Sequence, residues 1–479
     1  MRGTFLSNLF LLLLLNLIVK PFWLLGVDRE VQNMLGQEEY GAYFALLNFS
    51  ILFSSLLDLG ISSYNNRNIA QHQFLLGKYF PKLINIKAAL SGVYVLVVLL
   101  SSLALGYRGD KLELLLILAF NQSLISLILF LRSNLTALLL FRRDSFISVA
   151  DKILLIAFCG TLILYRDGEF LTVKNFVLAQ SLAYGITVLL AFSFLVRRIK
   201  FKKISFRPQG YLAIIKESYP FAILVFLMAI YSRTDAIMLE RLLPDGATQS
   251  GIYAQGYRIL EAFSMIAYLF STLLLPLFSK MLKEGSGVGP LVQTALKLLG
   301  VFALGIAVLA SFNAEFIIQS LYDSEIEKAT QVFKWLIFSL IPISSTYIFG
   351  TLLTAAGKLR FLNQMAISGV FLNLILNFLL IPSYQAEGAV YATLATQGIT
   401  ALVQVLACFR FIAIDMAWKV WLKLAAFVLL CVSGLLLVEQ YFSSLSALIA
   451  GAVLVPLLGV LLGILNPKSV LELLKSGKK

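Results

Sequence analysis

The chain has 479 residues, of which 59% are hydrophobic and only 13% charged, with a formal net charge of +14. That charged fraction is about half of what a soluble domain carries, which excludes an ordinary water-soluble enzyme or binding module. The basic excess does not mark a nucleic-acid partner either: the cations sit in short connectors between long apolar stretches, where they set topology and meet anionic lipid headgroups.

A membrane-spanning helix needs about 20 mostly apolar residues. In chain order such stretches are expected at 5–27, 41–64, 83–106, 114–141, 146–165, 172–196 and 217–239, then at 250–278, 290–312, 331–355, 362–381, 388–410, 420–438 and 443–465. In hydrocarbon the backbone must satisfy its own hydrogen bonds, so the choices are helices or a closed barrel. Uninterrupted runs such as Leu9–Leu15 and Val95–Leu100 argue for helix, because barrel strands alternate. The expected fold class is an all-α polytopic membrane protein of about 14 transmembrane helices. Met1–Lys20 has the look of a signal peptide, with Arg2 before a leucine-rich core. No small-residue cleavage site follows, and Lys20-Pro21-Phe22-Trp23 continues the apolar segment, so it reads as a retained first span.

The gaps alternate in charge. The even-numbered gaps and both termini hold most of the Lys and Arg, the richest being Arg197, Arg198, Lys200, Lys202, Lys203, Arg207 and Lys216. The odd gaps are acidic, as in Asp28-Arg29-Glu30, Glu38-Glu39 and the run from Glu315 to Glu327. Positive loops stay cytoplasmic, which places both termini inside. Gly41-Ala42-Tyr43, opening the second span, returns as Gly251-Ile252-Tyr253 at the eighth. This echo predicts two pseudo-symmetric six-helix lobes around a central cavity, over 1–200 and 201–415, with two extra spans and a basic tail over 416–479. Repeats meeting at a cavity are a common transporter design.

Charge at mid-bilayer is expensive, so it faces a cavity or a partner. Lys20, Asp58, Arg132, Arg233, Asp235, Arg258 and Glu261 fall deep in the spans, with Lys297 and Lys334 nearer span ends. Arg258 and Glu261 share one helix face and are close enough to pair; internal ion pairs and snorkelling groups are the bland reading of the whole set. Four deep cations against three deep acids nevertheless leave an electropositive interior that suits anionic cargo. Arginine's planar fork suits phosphate or pyrophosphate in particular. Asp58, Asp235 and Glu261 are the candidate ion-coupling residues; Asp58, just before Leu59-Gly60 near the inner interface, reads more readily as a helix-end residue.

His72, the only histidine, sits in a connector with Arg67, Gln71 and Gln73 and reads as solvated. Cys159, Cys408 and Cys431 are far apart within apolar spans, without metal or disulfide spacing, and read as packing residues. No catalytic constellation is visible, so no enzyme activity, metal or cofactor is expected.

Several segments resemble the polysaccharide flippase branch of the multidrug/oligosaccharidyl-lipid/polysaccharide (MOP) exporter superfamily. They are Leu35-Gly36-Gln37-Glu38-Glu39-Tyr40-Gly41-Ala42-Tyr43 with Leu57-Asp58-Leu59-Gly60, Tyr257-Arg258-Ile259, Ala356-Gly357-Lys358, Asn373 to Asn377, and Glu387-Gly388-Ala389. The resemblance implies an O-antigen-type flippase of a bacterial inner membrane, moving an undecaprenyl-pyrophosphate-linked oligosaccharide outward by alternating access. It further implies a polysaccharide polymerase and glycosyltransferases as candidate partners. Arg29, in Leu25-Gly26-Val27-Asp28-Arg29-Glu30, resembles a cavity motif of the related lipid II flippases; its plain alternative is an ion pair with Asp28 or Glu30. The expected pyrophosphate contacts are thus Lys20, Arg29, Arg132, Arg233 and Arg258. A lipid II flippase is the runner-up, and a cation-coupled drug antiporter, which would need an acidic cavity, is the weaker alternative.

Overall fold

An apolar chain with no water to bond its backbone must close its hydrogen bonds within helices. In the computed structural model, which describes residues 14–62, 65, 66, 69, 76–196, 209–414 and 417–465, every regular element is helical. His72 and its neighbours, the connector cations Arg197 to Arg207, the start of the first span and the basic tail lie outside the described residues.

The first helix, α1, covers residues 14–28 and is π-helical over Trp23–Asp28. It runs straight into α2 (Arg29–Leu52), whose one break is Gly36 at φ 76° and ψ 171°, a conformation open to glycine alone. The acidic gap expected at 28–40 is therefore a helical corner rather than a loop. Asp28 is carried into the interior there, where it accepts a 2.7 Å hydrogen bond from the Tyr40 hydroxyl.

The second expected span, 41–64, is interrupted. α2 stops at Leu52, a 3₁₀ turn follows over Ser54–Leu57, and Leu59 (φ 43°) and Gly60 (φ 81°) turn left-handed. After it come α3 (Leu76–Ala104), α4 (Asp110–Ala137), α5 (Phe141–Leu164), α6 (Val173–Val196) and α7 (Gln209–Leu242). Then follow α8 (Gly246–Lys283), α9 (Gly289–Phe312), the short α10 (Ala314–Leu321), α11 (Ile326–Leu336) and α12 (Leu340–Ala355). α13 (Leu359–Ile412), α14 (Trp418–Tyr441) and α15 (Ser444–Leu461) complete the chain.

Among the described residues eleven helices are long and apolar enough to cross a membrane. The expected number of about 14 is recovered once two features are included. α13 bends at Gln385 (φ 52°) and holds two of the expected spans, and the first two spans are the α1–α2 pair folded at Gly36. Leu96, Leu129, Leu189, Phe378, Leu429 and Val453 stand exposed on the helices, as lipid-facing residues do.

The chain packs as two units, Met1–Gly251 and Ile252–Lys479. In the first, Trp23, Tyr43 and Phe176 join α1, α2 and α6 into one aromatic core, with ring centroids 5.2 Å apart for Tyr43 and Phe176. The first turn of α8 also presses onto α2: a Cβ on Gly41 would lie 1.9 Å from the Ala247 carbonyl oxygen, and one on Gly251 2.2 Å from that of Gln37. The two glycines of the repeated Gly-x-Tyr thus face each other, the small-residue contact by which membrane helices approach closely. In the second unit α14 and α15 seat on α9, with Leu424 against Gly300 and Val455 against Gly305.

Candidate functional site

The expected pyrophosphate contacts fall into different surroundings, and two of them come together. Lys20 on α1 is half-buried, and the charges around it are Lys152, Asp151 and Arg132. Arg132, on α4, forks onto buried Asp144 at the start of α5, with Nε 2.7 Å from Oδ1 and Nη2 3.2 Å from Oδ2. Two turns further into α5, Lys152 reaches Asp151 at 3.3 Å. Its ammonium also lies over the rings of Trp23 (5.8 Å) and Tyr184 (5.4 Å), a cation–π cradle from α1 and α6. Asn16 donates to the Ser148 hydroxyl at 2.9 Å and pins α1 against α5 beside them.

The cluster therefore holds three cations, Lys20, Arg132 and Lys152, against two carboxylates, Asp144 and Asp151. In a wall of spanning helices such a surplus is a standing attraction for an anion. The bidentate fork fixes Arg132 in place and gives it a strong charge-assisted bond. Lys20 has no carboxylate within ion-pair distance among the described residues and is the most available of the three to an incoming phosphate.

The other expected residues stand apart. Arg29 pairs with Glu30 at 2.6 Å, its plain alternative. Arg233, on α7, donates to the Asn48 side chain on α2 at 3.3 Å. Arg258 lies in the second unit and pairs with Glu261 at 3.0 Å, one helical turn along α8. Of the candidate coupling residues, Glu261 is thus engaged by Arg258, Asp235 is buried on α7, and Asp58 at the break after α2 is bound by Lys87 at 2.5 Å. Lys297 is half-buried, and Lys334 is exposed, as a snorkelling group would be.

Lys87, Asp144, Asp151, Lys152 and Glu240 were not singled out by the sequence reading. Three had a usable signal: Lys87 falls inside the expected span 83–106, and Asp151 and Lys152 inside 146–165, the same criterion that selected Lys20. Asp144 and Glu240 fell in expected gaps, where charge is ordinary. The Glu240 side chain is buried all the same, receiving Lys111 at 2.6 Å, Arg241 at 3.1 Å and the Tyr107 hydroxyl at 3.1 Å, so that it binds the α3–α4 corner to the end of α7.

In the second unit an apolar crevice of about 490 Å³ opens between α9, α12, α13 and α14, lined by Leu299, Ile341, Leu402, Trp421 and Val428 among others. Its lining, apolar but for Ser344 and Ser345 and without a charged residue, suits a hydrocarbon chain.

Comparison with known proteins gives a consistent picture. The family described as polysaccharide biosynthesis protein matches residues 5–282, and the MatE family matches residues 220–379. Among solved structures, the lipid II flippase MurJ in an inward closed conformation superposes with a TM-score of 0.70 at 17% identity, covering 94% of this chain and 98% of its own. An inward-facing multidrug resistance MATE family transporter of the MOP superfamily gives 0.62 at 14% identity, covering 87% and 95%. The Vibrio cholerae MATE transporter VcmN gives 0.59 at 16% identity, covering 85% and 98%. No curated protein sequence matches significantly.

Proposed function

We propose that this chain, which belongs to the polysaccharide biosynthesis protein family of the MOP exporter superfamily, is a flippase for an undecaprenyl-pyrophosphate-linked oligosaccharide. It carries the lipid from the cytoplasmic to the outer leaflet of a bacterial inner membrane, for surface polysaccharide synthesis. The observation that carries this reading is the cluster of Lys20, Arg132 and Lys152 against Asp144 and Asp151. A diphosphate has the charge and the oxygen geometry to engage those cations, whereas an organic cation would meet repulsion.

Two six-helix lobes, over 1–200 and 201–415, alternate access to a cavity between them, and both termini lie in the cytoplasm. The prenyl tail stays in lipid and in apolar crevices such as that beside Trp421, while the sugars occupy the wet interior. Outward movement of an anion is favoured by an inside-negative potential by about 2.3 kcal/mol per charge per 100 mV. Neighbouring steps belong to glycosyltransferases on the inner face and a polymerase on the outer one.

Deleting the gene tests the reading. Lipid-linked glycan accumulates on the inner leaflet, wild type clears it, and Lys20→Ala or Arg132→Ala at equal membrane abundance does not. Normal surface glycan in the deletion strain overturns the proposal. The MurJ-like fold favours one second reading, a lipid II flippase. In that case the deletion instead arrests peptidoglycan precursor export and leaves surface glycan intermediates unchanged.

A further inference from the structure

The break after α2 frees backbone oxygens inside the first unit, and one lysine gathers them. Lys87, on α3, is buried, with a side chain only 5% exposed. An ammonium has three donors and no acceptor, and each donor here meets a different oxygen. The Leu57 carbonyl lies at 3.0 Å, the Asp58 Oδ1 at 2.5 Å and the Ser126 hydroxyl of α4 at 2.8 Å. The shell is itself braced. Ser126 donates to the Leu57 carbonyl at 3.2 Å, and the Ser62 hydroxyl donates to the Asp58 Oδ1 at 2.5 Å while its backbone N–H reaches both carboxylate oxygens at 3.3 Å.

One carboxylate and one carbonyl released by unwinding, both at the break, together with one hydroxyl from α4, form the oxygen set with which interrupted membrane helices hold small cations. The carbonyl belongs to the last residue of the 3₁₀ turn Ser54–Leu57, and its oxygen accepts from the ammonium directly. A lysine that spends all three donors in this way has none left for a phosphate. It is also distinct from the Lys20 cluster, whose charged neighbours do not include it.

We propose that Leu57, Asp58 and Ser126 form a binding site for a small monovalent cation, which this chain fills permanently with the tethered ammonium of Lys87. Asp58 is thereby withdrawn from any freely exchanging Na⁺ or K⁺, and an ion that drives transport must act elsewhere. The tether also locks the α2 break to α3 and α4, adding to the Ser126 hydroxyl on the Leu57 carbonyl and to the Tyr94 hydroxyl of α3, which donates to the Ser50 carbonyl of α2 at 2.7 Å.

The test does not involve cargo and is independent of the flippase reading. Purified Lys87→Ala, the wild type and the double variant Asp58→Asn/Lys87→Met are melted in detergent in choline, ammonium, potassium and sodium chloride at equal ionic strength. The alanine variant keeps the oxygen shell but loses its cation, so at least one small cation raises its unfolding midpoint over choline by about 5 °C. The wild type, already filled, and the double variant, with no charge to compensate, melt at the same temperature in all four salts. An alanine variant whose midpoint shifts between salts no more than that of the double variant overturns the site. So does a wild type that responds to the salts as strongly as the alanine variant. If Lys87→Ala yields folded protein in none of the four salts while the double variant folds, the site is equally overturned, because a free cation then cannot take the ammonium's place.

Discussion

Both units bury amides and hydroxyls, but they differ in the charge they bury. Met1–Gly251 encloses ions: Asp28, Lys87, Asp144 and Asp235 are all buried in it, as is the Glu240 side chain. Ile252–Lys479 encloses amides and hydroxyls such as Asn373, Asn377, Thr396, Thr400 and Gln404, with Arg258 as the one buried charged residue among those described. The difference matters because the two kinds fail differently. A buried ion deprived of its partner stays charged in a medium that cannot solvate it, whereas a hydroxyl or amide turns to its own helix, as Thr400 does in donating to the Thr396 carbonyl at 2.9 Å. The first unit is therefore the charge-sensitive half of the molecule.

Arg132 and Arg258 put that contrast to its hardest trial. Arg132→Ala strands Asp144, whose side chain is 6% exposed, and the expected loss is about 3–5 kcal/mol of stability. Replacing both partners by apolar residues of similar size recovers most of it. Arg258→Ala leaves Glu261, with a side chain 25% exposed, able to recruit water, and the expected loss is about 1 kcal/mol. Thermal unfolding in detergent reads both, and equal losses would erase the distinction between the units.

Between those extremes lies the glycine contact. Gly41→Ala must push the α2 backbone away from Ala247, at an expected cost of about 1–3 kcal/mol. Serine at the same position is no better tolerated, since the clash is at Cβ; a midpoint unchanged in either variant would mean the two helices separate freely.

The smallest effect is expected in the second unit. Asn377 donates to the Asn373 side chain one turn back along α13 at 3.1 Å, and Asn377→Ala should cost about 0.5 kcal/mol, the scale of an i,i+4 side-chain pair within one helix. A loss as large as that of Arg132→Ala would show that amides there carry as much as ions do in the first unit.

Hydropathy along the chain was enough to determine the all-helical membrane fold and nearly every span, because the length of an apolar run is a local property and the bilayer a fixed ruler. The family resemblance was legible in the short motifs around Gly41, Asp58 and Gly357, whereas the contact between Gly41 and Gly251 was not read from their Gly-x-Tyr echo. Depth alone also selected Lys20 and Arg132, two members of the cationic cluster. What the sequence could not assign was partnership. Asp144 was placed in a connector, yet the rotation of α5 against α4 turns it onto Arg132. Asp58 stood alone until the break after α2 brought its carboxylate to Lys87, 29 residues away in the chain. Helix rotation and unwinding are set by packing among several elements at once, so which buried charges neutralise one another was decided only by the tertiary structure.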